Sequence, residues 1–225
     1  MEQPPTTLVS AETPRGEVAL RERTDEAGEI VHELVVAGVF AMDSVDTTTE
    51  TALARRALAV VDSPGSVLVG GLGLGYTTLE VLKDKRVGHV DVVELEEDLV
   101  QWARLALAPT MGLVARHPRA TVRAGDVAEL LGREGDRSWD LVLLDVDNGP
   151  GFLVHEENRA LYSRDSLAAA LGHVSPGGAF AIWAAQREPA LLTTLTDLAP
   201  TEEIPLEVER DGHRLEYALY VARPR

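Results

Sequence analysis

Residues 66–76 read Ser-Val-Leu-Val-Gly-Gly-Leu-Gly-Leu-Gly-Tyr, and this stretch decides the fold. An apolar run of strand length ends in glycines and gives way at once to YTTLEVLKD (76–84), which reads as a helix. Glycines in such a turn let backbone come close to a ligand, and the following helix offers free N–H groups and the positive end of its dipole. The turn by itself leaves several readings open, among them a tight structural turn and a dinucleotide site.

Downstream, strands and helices alternate. HVDVVEL (89–95), ATVRAGD (120–126), SWDLVLLDVD (138–147) and GGAFAIWAA (177–185) read as strands. EEDLVQWARLAL (96–107), VAELLG (127–132), SRDSLAAALGHV (163–174) and EPALLTTLTDLA (188–199) read as helices, with Ser163 a cap. LEVERD and RLEYALYVA, joined across Asp211-Gly212, predict a closing antiparallel hairpin. This alternation predicts an α/β fold, with a mostly parallel sheet and ligand groups along the edge formed by strand C-termini.

Upstream, Asp46-Thr-Thr-Thr-Glu50 offers cap residues and an acid for the first turn of the helix TALARRALAVV. Residues 17–45 hold VALRER, EIVHELVV and GVFAMDS, short β-branched segments that predict a small antiparallel unit. Residues 1–16 are rich in Pro, Thr and Glu without periodicity and read as a flexible tail. The division expected is therefore tail 1–16, β unit 17–45 and a Rossmann-like domain over 46–225.

Composition narrows the function. The 225 residues carry a net charge of −16 and 45% hydrophobic residues. A core of ordinary size is available, and an acidic surface repels phosphate backbones, so no nucleic-acid partner is expected. Such a surface suits cations, polyamines included. It also simply keeps proteins soluble. The absence of cysteine removes disulfides, cysteine nucleophiles and cysteine metal sites. Neither a leader pattern nor a long apolar span is legible, so a cytoplasmic protein without membrane contact is expected.

Three further positions carry chemistry. Glu94 ends the strand after the glycine turn, where an acid accepts hydrogen bonds from ribose hydroxyls. A surface acid is the bland reading. Asp126 and Val127 end the next strand. Asp126 suits an exocyclic adenine amine and the Val127 N–H a ring nitrogen, although Asp126 also reads as a plain N-cap. The fourth strand ends in Asp145-Val-Asp-Asn-Gly-Pro150, an acidic cluster foreign to dinucleotide dehydrogenases and suited to a sulfonium donor meeting a nucleophile.

Taken in order, VGGLGLGYTTLEVL, VDVVELEEDLVQWAR, AGDVAELL, WDLVLLDVDNGPG and LYSRDSLAAALGHVSPGGAFAIWAA resemble the spermidine synthase family, over roughly residues 35–185. That family is a branch of the class I S-adenosylmethionine methyltransferase fold. The resemblance implies a Rossmann-like domain with a seven-stranded, mostly parallel sheet, the C-terminal hairpin and a small N-terminal β unit. It implies that Gly71, Gly73 and Gly75 line the donor's amino-acid-derived tail. Glu94 then holds the ribose, Asp126 and Val127 the adenine, and Asp145 the reaction centre. It also implies a homodimer.

Departures bear on the reaction. Aminopropyltransferases of the family carry GGGDGG, whose aspartate binds the amine of decarboxylated S-adenosylmethionine. Here that position is Gly73. Intact donor carries a carboxylate that an aspartate repels, so the glycine removes a discriminator. The family's D-x-x-D has Asn148 in its last place, and asparagine is no base near neutral pH. Asp147 is adjacent but points to the opposite side in a strand. The family's tyrosine and glutamine are missing from GVFAMDSVDTTTE, where only Glu50 corresponds to the acid following that tyrosine.

These losses lead to an expectation of methyl transfer from intact S-adenosylmethionine to a small, cationic or hydroxyl-bearing acceptor, with Asp145, Asp147 and Asn148 as catalytic group. The alternatives are aminopropyl transfer from decarboxylated S-adenosylmethionine to a polyamine, and an inactive nucleoside-binding paralogue. An NAD oxidoreductase finds no catalytic Lys, Tyr or His set. Tyr76 reads equally as a donor cover or a helix start. His155 reads as an acceptor contact or a solvated loop residue. The remaining histidines are scattered, so no metal is expected. Trp139, Trp183 and Trp102 read as packing.

Overall fold

Val67, Leu68 and Val69 are all fully buried, because both faces of their strand are covered. This strand, β5 (Ser66–Gly70), lies in the interior of a seven-stranded sheet in the computed structural model. The structure describes residues 4–133, 138–146, 149–151, 153, 156–210 and 213–224.

The first sheet is antiparallel, in the order β1 (Thr6–Thr13), β2 (Gly16–Thr24), β3 (Ile30–Val36), β4 (Val39–Asp43). Residues 6–13, read from sequence as part of a flexible tail, instead pair with β2 from Thr6↔Glu22 to Thr13↔Gly16. Their alternation is polar because β1 is an edge strand with one face in water, and so it carries little apolar signal. Helix α1 (Thr48–Ala59) follows, with Asp46 Oδ1 accepting from the Thr48 N–H at 3.1 Å.

The second sheet comprises β5, β6 (His89–Glu94), β7 (Ala120–Ala124), β8 (Trp139–Leu144), β9 (Val174–Ala184), β10 (Thr201–Arg210) and β11 (His213–Ala222). Its spatial order is β10-β11-β9-β8-β5-β6-β7. Strands β5 to β9 are parallel, and the β10–β11 hairpin closes the sheet antiparallel. The chain runs outward from β5 through β6 to β7, then returns to the other side of β5 with β8. That reversal leaves a crevice beyond the C-terminal ends of β5 and β8, where α/β sheets bind ligands.

Helices cover both faces: α2 (Tyr76–Lys83), α3 (Glu97–Leu105), α4 (Pro109–Ala115), α5 (Val127–Gly132), α6 (Arg164–Gly172) and α7 (Pro189–Leu198). The period of two along each strand separates two cores. Val67, Val69, Val92, Leu141 and Leu143 pack with α1 to α4 and with Val18, Leu20 and Leu34 of the first sheet. Leu68, Val93, Val142, Leu144 and Phe180 pack on the other side with α5 to α7. The sequence reading has no counterpart for α4, whose seven residues are too few for a legible helical period. Ser163 caps α6 as expected, accepting from the Ser166 N–H at 3.2 Å. Among the described residues no helix is long and apolar enough to cross a membrane.

Candidate functional site

The glycine turn works because it tolerates what a side chain would not. Gly71 has φ +92°, and a Cβ there would lie 2.1 Å from the carbonyl oxygen of Asp145. The two strand ends are therefore pressed together at the crevice, which needs glycine at this point. Gly75, at φ +94°, leads into α2.

Beyond these ends lies a cleft of about 190 Å³. Its floor is the glycine turn with Glu94, Asp126, Val127 and Asp145. Its roof comes from the first sheet and the start of α1, with Leu34, Met42 and Glu50. Gly71, Gly73, Glu94, Asp126, Val127, Asp145, Glu50 and Tyr76, all nominated from sequence, line this one cleft. Gly75 is next to it. Asp147, Asn148 and His155 lie outside the described residues.

Glu94 is 8% exposed. Its Oε2 accepts from the Leu72 N–H at 2.8 Å and its Oε1 from the Glu96 N–H at 2.9 Å. Burial pushes this carboxyl up, while the amides of Glu96, Leu72 and Gly73 favour the ionised form. Each carboxylate oxygen keeps acceptor capacity for a hydroxyl, so the arrangement fits a ribose. Asp126 caps α5, its Oδ1 accepting from the Ala128 N–H at 2.7 Å. The N-cap role and the cleft position hold together.

Asp145 continues from β8 and accepts a 2.6 Å hydrogen bond from the Thr77 hydroxyl. Burial pushes its carboxyl up, and that bond pulls it back. Glu50, in the first turn of α1, is pushed up to about 7, first by burial and then by the negative charge of Asp145. Two carboxyls thus share one corner of the cleft, where burial opposes the charge of each.

Several residues escape the sequence reading. Thr77 looks like any helix residue. Met42, on β4, lays its thioether over the turn: Sδ accepts from the Leu74 N–H at 3.3 Å and stands 2.8 Å from where a Cβ on Gly73 would be. Arg15, in the turn between β1 and β2, forms a forked pair with Glu96 at 2.6 and 3.0 Å and donates to the Leu95 carbonyl at 3.2 Å. Trp183, expected as packing, also lines the cleft and stacks near Tyr217 at 5.6 Å between ring centroids. The ring is only partly buried, so the two roles coexist. None of these contacts has a signal in local periodicity.

Strand order, glycine turn and acids at the strand ends define a Rossmann-like α/β domain with a small antiparallel sheet roofing its crevice. The model of the spermine/spermidine synthase domain matches residues 47–194, about two thirds of the chain, and the chain belongs to that family. It is 31% identical over 134 residues to polyamine aminopropyltransferase 2 of Pseudomonas aeruginosa, covering 58% of this chain and 36% of that protein. It is 26% identical over 123 residues to putrescine N-methyltransferase 2 of Nicotiana tabacum, covering 54% of this chain and 33% of that one. The chain therefore spans about a third of the length of these relatives. A spermidine synthase solved with the transition state analogue AdoDATO has the same fold, with a TM-score of 0.78 and 18% identity over 96% of this chain and 73% of that one.

The expectation of methyl transfer does not gain from this. The family and its aminopropyltransferase members fit the alternative better. The physical weakness of that expectation lies at Gly73, because Met42 fills the space that a side chain there would take. A glycine at this position therefore has a packing reading as well as a donor reading.

Proposed function

We propose that the chain transfers an aminopropyl group from decarboxylated S-adenosylmethionine to an amine of a small linear polyamine. One observation carries this reading. The described lining of the cleft includes five carboxyl side chains, Glu50, Glu94, Glu96, Asp126 and Asp145, and no lysine or arginine. A donor carboxylate finds no cation there. The decarboxylated donor, with its ammonium and sulfonium, matches that charge, and so does a polyamine.

In this reading Glu94 takes the ribose hydroxyls and Asp126 with Val127 takes the adenine. The tail lies along Gly71, Gly73 and Gly75, under Tyr76. Asp145 faces the acceptor. The acceptor amine attacks the tail carbon bonded to sulfur, the C–S bond breaks, and the electron pair leaves on methylthioadenosine. The amine must shed a proton. Glu50, pushed up to about 7, is matched to receive it near neutral pH, with Asp145 holding the neighbouring ammonium. Alignment in the cleft supplies much of the rate, since the thioether leaves readily.

The test is product mass spectrometry, with each donor offered against a panel of linear diamines and triamines. Aminopropylated product and methylthioadenosine from the decarboxylated donor are expected. A methylated amine from the intact donor would move the reading to the methyltransferase branch that the Nicotiana relative represents, and no product with either would refute it.

A further inference from the structure

The glycine turn has little left to offer an anion. The Gly71 N–H donates to the Val93 carbonyl at 2.9 Å and the Gly75 N–H to the Leu72 carbonyl at 2.8 Å. The amides of Leu72 and Gly73 serve Glu94. The Leu74 N–H, just before α2, is the remaining amide of the turn, and its acceptor is the thioether of Met42. A thioether is a weak acceptor, and a carboxylate would be a far stronger one for the same N–H. The same sulfur also occupies the space beside Gly73.

Asx-type side chains tolerate the left-handed backbone that Gly73 adopts at φ +49°. Any side chain at position 73 would carry backbone strain, least for an Asx-type residue. It would also meet the Met42 sulfur, 2.8 Å from the Cβ position. Position 42 and position 73 compete for one volume, and this chain has filled it from the roof of the cleft.

We propose that Met42 determines donor specificity: it caps the Leu74 amide and fills the tail end of the cleft, so that a donor carboxylate cannot bind there while a bare ammonium can. This rests on the proposed aminopropyl-transfer reading and deepens it. An aspartate in the turn would exclude the carboxylate by charge. Met42 disfavours it by occupying both space at the turn and the turn's remaining hydrogen-bond donor, the Leu74 N–H. The ammonium of the decarboxylated donor needs neither, and finds acids in the same cleft instead.

The test is calorimetric titration of three ligands: decarboxylated S-adenosylmethionine, intact S-adenosylmethionine, and methylthioadenosine, which has no tail beyond a methyl group. In Met42→Ala the preference for the decarboxylated donor should fall about tenfold, the worth of one hydrogen bond to a charged group. The change should come from tighter binding of the intact donor, with methylthioadenosine unaffected. Met42→Gln, similar in shape and with an acceptor oxygen, should keep the preference within about threefold. An unchanged donor ratio in Met42→Ala, with methylthioadenosine bound as before, would overturn the role of Met42 and leave the proposed function intact. Failure of the unsubstituted protein to bind any of the three would overturn the functional reading itself. A second measurement needs no variant: the Leu74 amide resonance should sit at the same position with either donor bound. A downfield shift on adding the intact donor would mean that its carboxylate reaches the amide despite Met42, and would refute the proposal.

Discussion

Replacing Glu50 by glutamine should stabilise the protein at alkaline pH. The carboxyl of Glu50 is raised from 4.5 to about 7 by burial and by Asp145. Between those values the folded protein holds a proton that the unfolded chain has released. The stability this contributes is full below the unfolded value and is lost as pH rises through about 7. At pH 8 the ionised form costs about 3 kcal/mol on this arithmetic. The cleft is open to water, which reduces the figure to about 1–3 kcal/mol. Glu50→Gln removes the ionisation, so its melting temperature should exceed that of the parent at pH 8 by about 2–4 °C for each kcal/mol, and the gap should close near pH 5. Thermal melts across pH 5–8 read this directly. Parallel pH profiles for the two proteins would refute the reasoning, because they would mean that Glu50 ionises as freely as an exposed acid. The same carboxyl links protonation to binding. A cation beside it favours the ionised form, so ligand uptake at pH 7 should release roughly half a proton. Calorimetry in two buffers of different ionisation enthalpy measures that release.

Gly71→Ala should abolish the native site, since its Cβ would lie 2.1 Å from backbone oxygen at Asp145; a loss above about 4 kcal/mol in denaturant unfolding is expected. Glu94→Gln keeps the shape but turns an NH₂ toward an amide N–H that now lacks an acceptor. It should cost about 1–3 kcal/mol in stability and weaken methylthioadenosine binding at least tenfold by calorimetry. Arg15→Ala leaves the Glu96 carboxylate, whose side chain is 5% exposed, without its forked partner. A loss of about 1–3 kcal/mol is expected, and limited proteolysis should then cut the β1–β2 hairpin sooner. An unchanged cleavage pattern would mean that the hairpin does not depend on this pair.

The Rossmann-like half was legible because its signals are local. Ser66 to Tyr76 carries strand, turn and helix in eleven consecutive positions, and each of the next three strands leads into an acid that the parallel topology must bring to the same edge. Glu94, Asp126 and Asp145 follow from that rule alone. Glu50 was reached only through the family resemblance, and nothing in its own neighbourhood gives it a pKa near 7. That value needs burial and the charge of Asp145.

The amino-acid sequence by itself determined the alternation, the glycine turn and which strand ends bear carboxyls, because periodicity and turn chemistry act over a few residues. Only the tertiary structure decided what closes the cleft. The Met42–Leu74 contact spans 32 positions, Thr77–Asp145 spans 68 and Arg15–Glu96 spans 81. Such pairs depend on where the N-terminal sheet docks on the crevice. The sequence offered Gly73 as a lost acid, and the folded chain offers a methionine in its place. The physical reason is that a vacancy in a sequence pattern is not a vacancy in space: packing brings side chains from other elements to fill it.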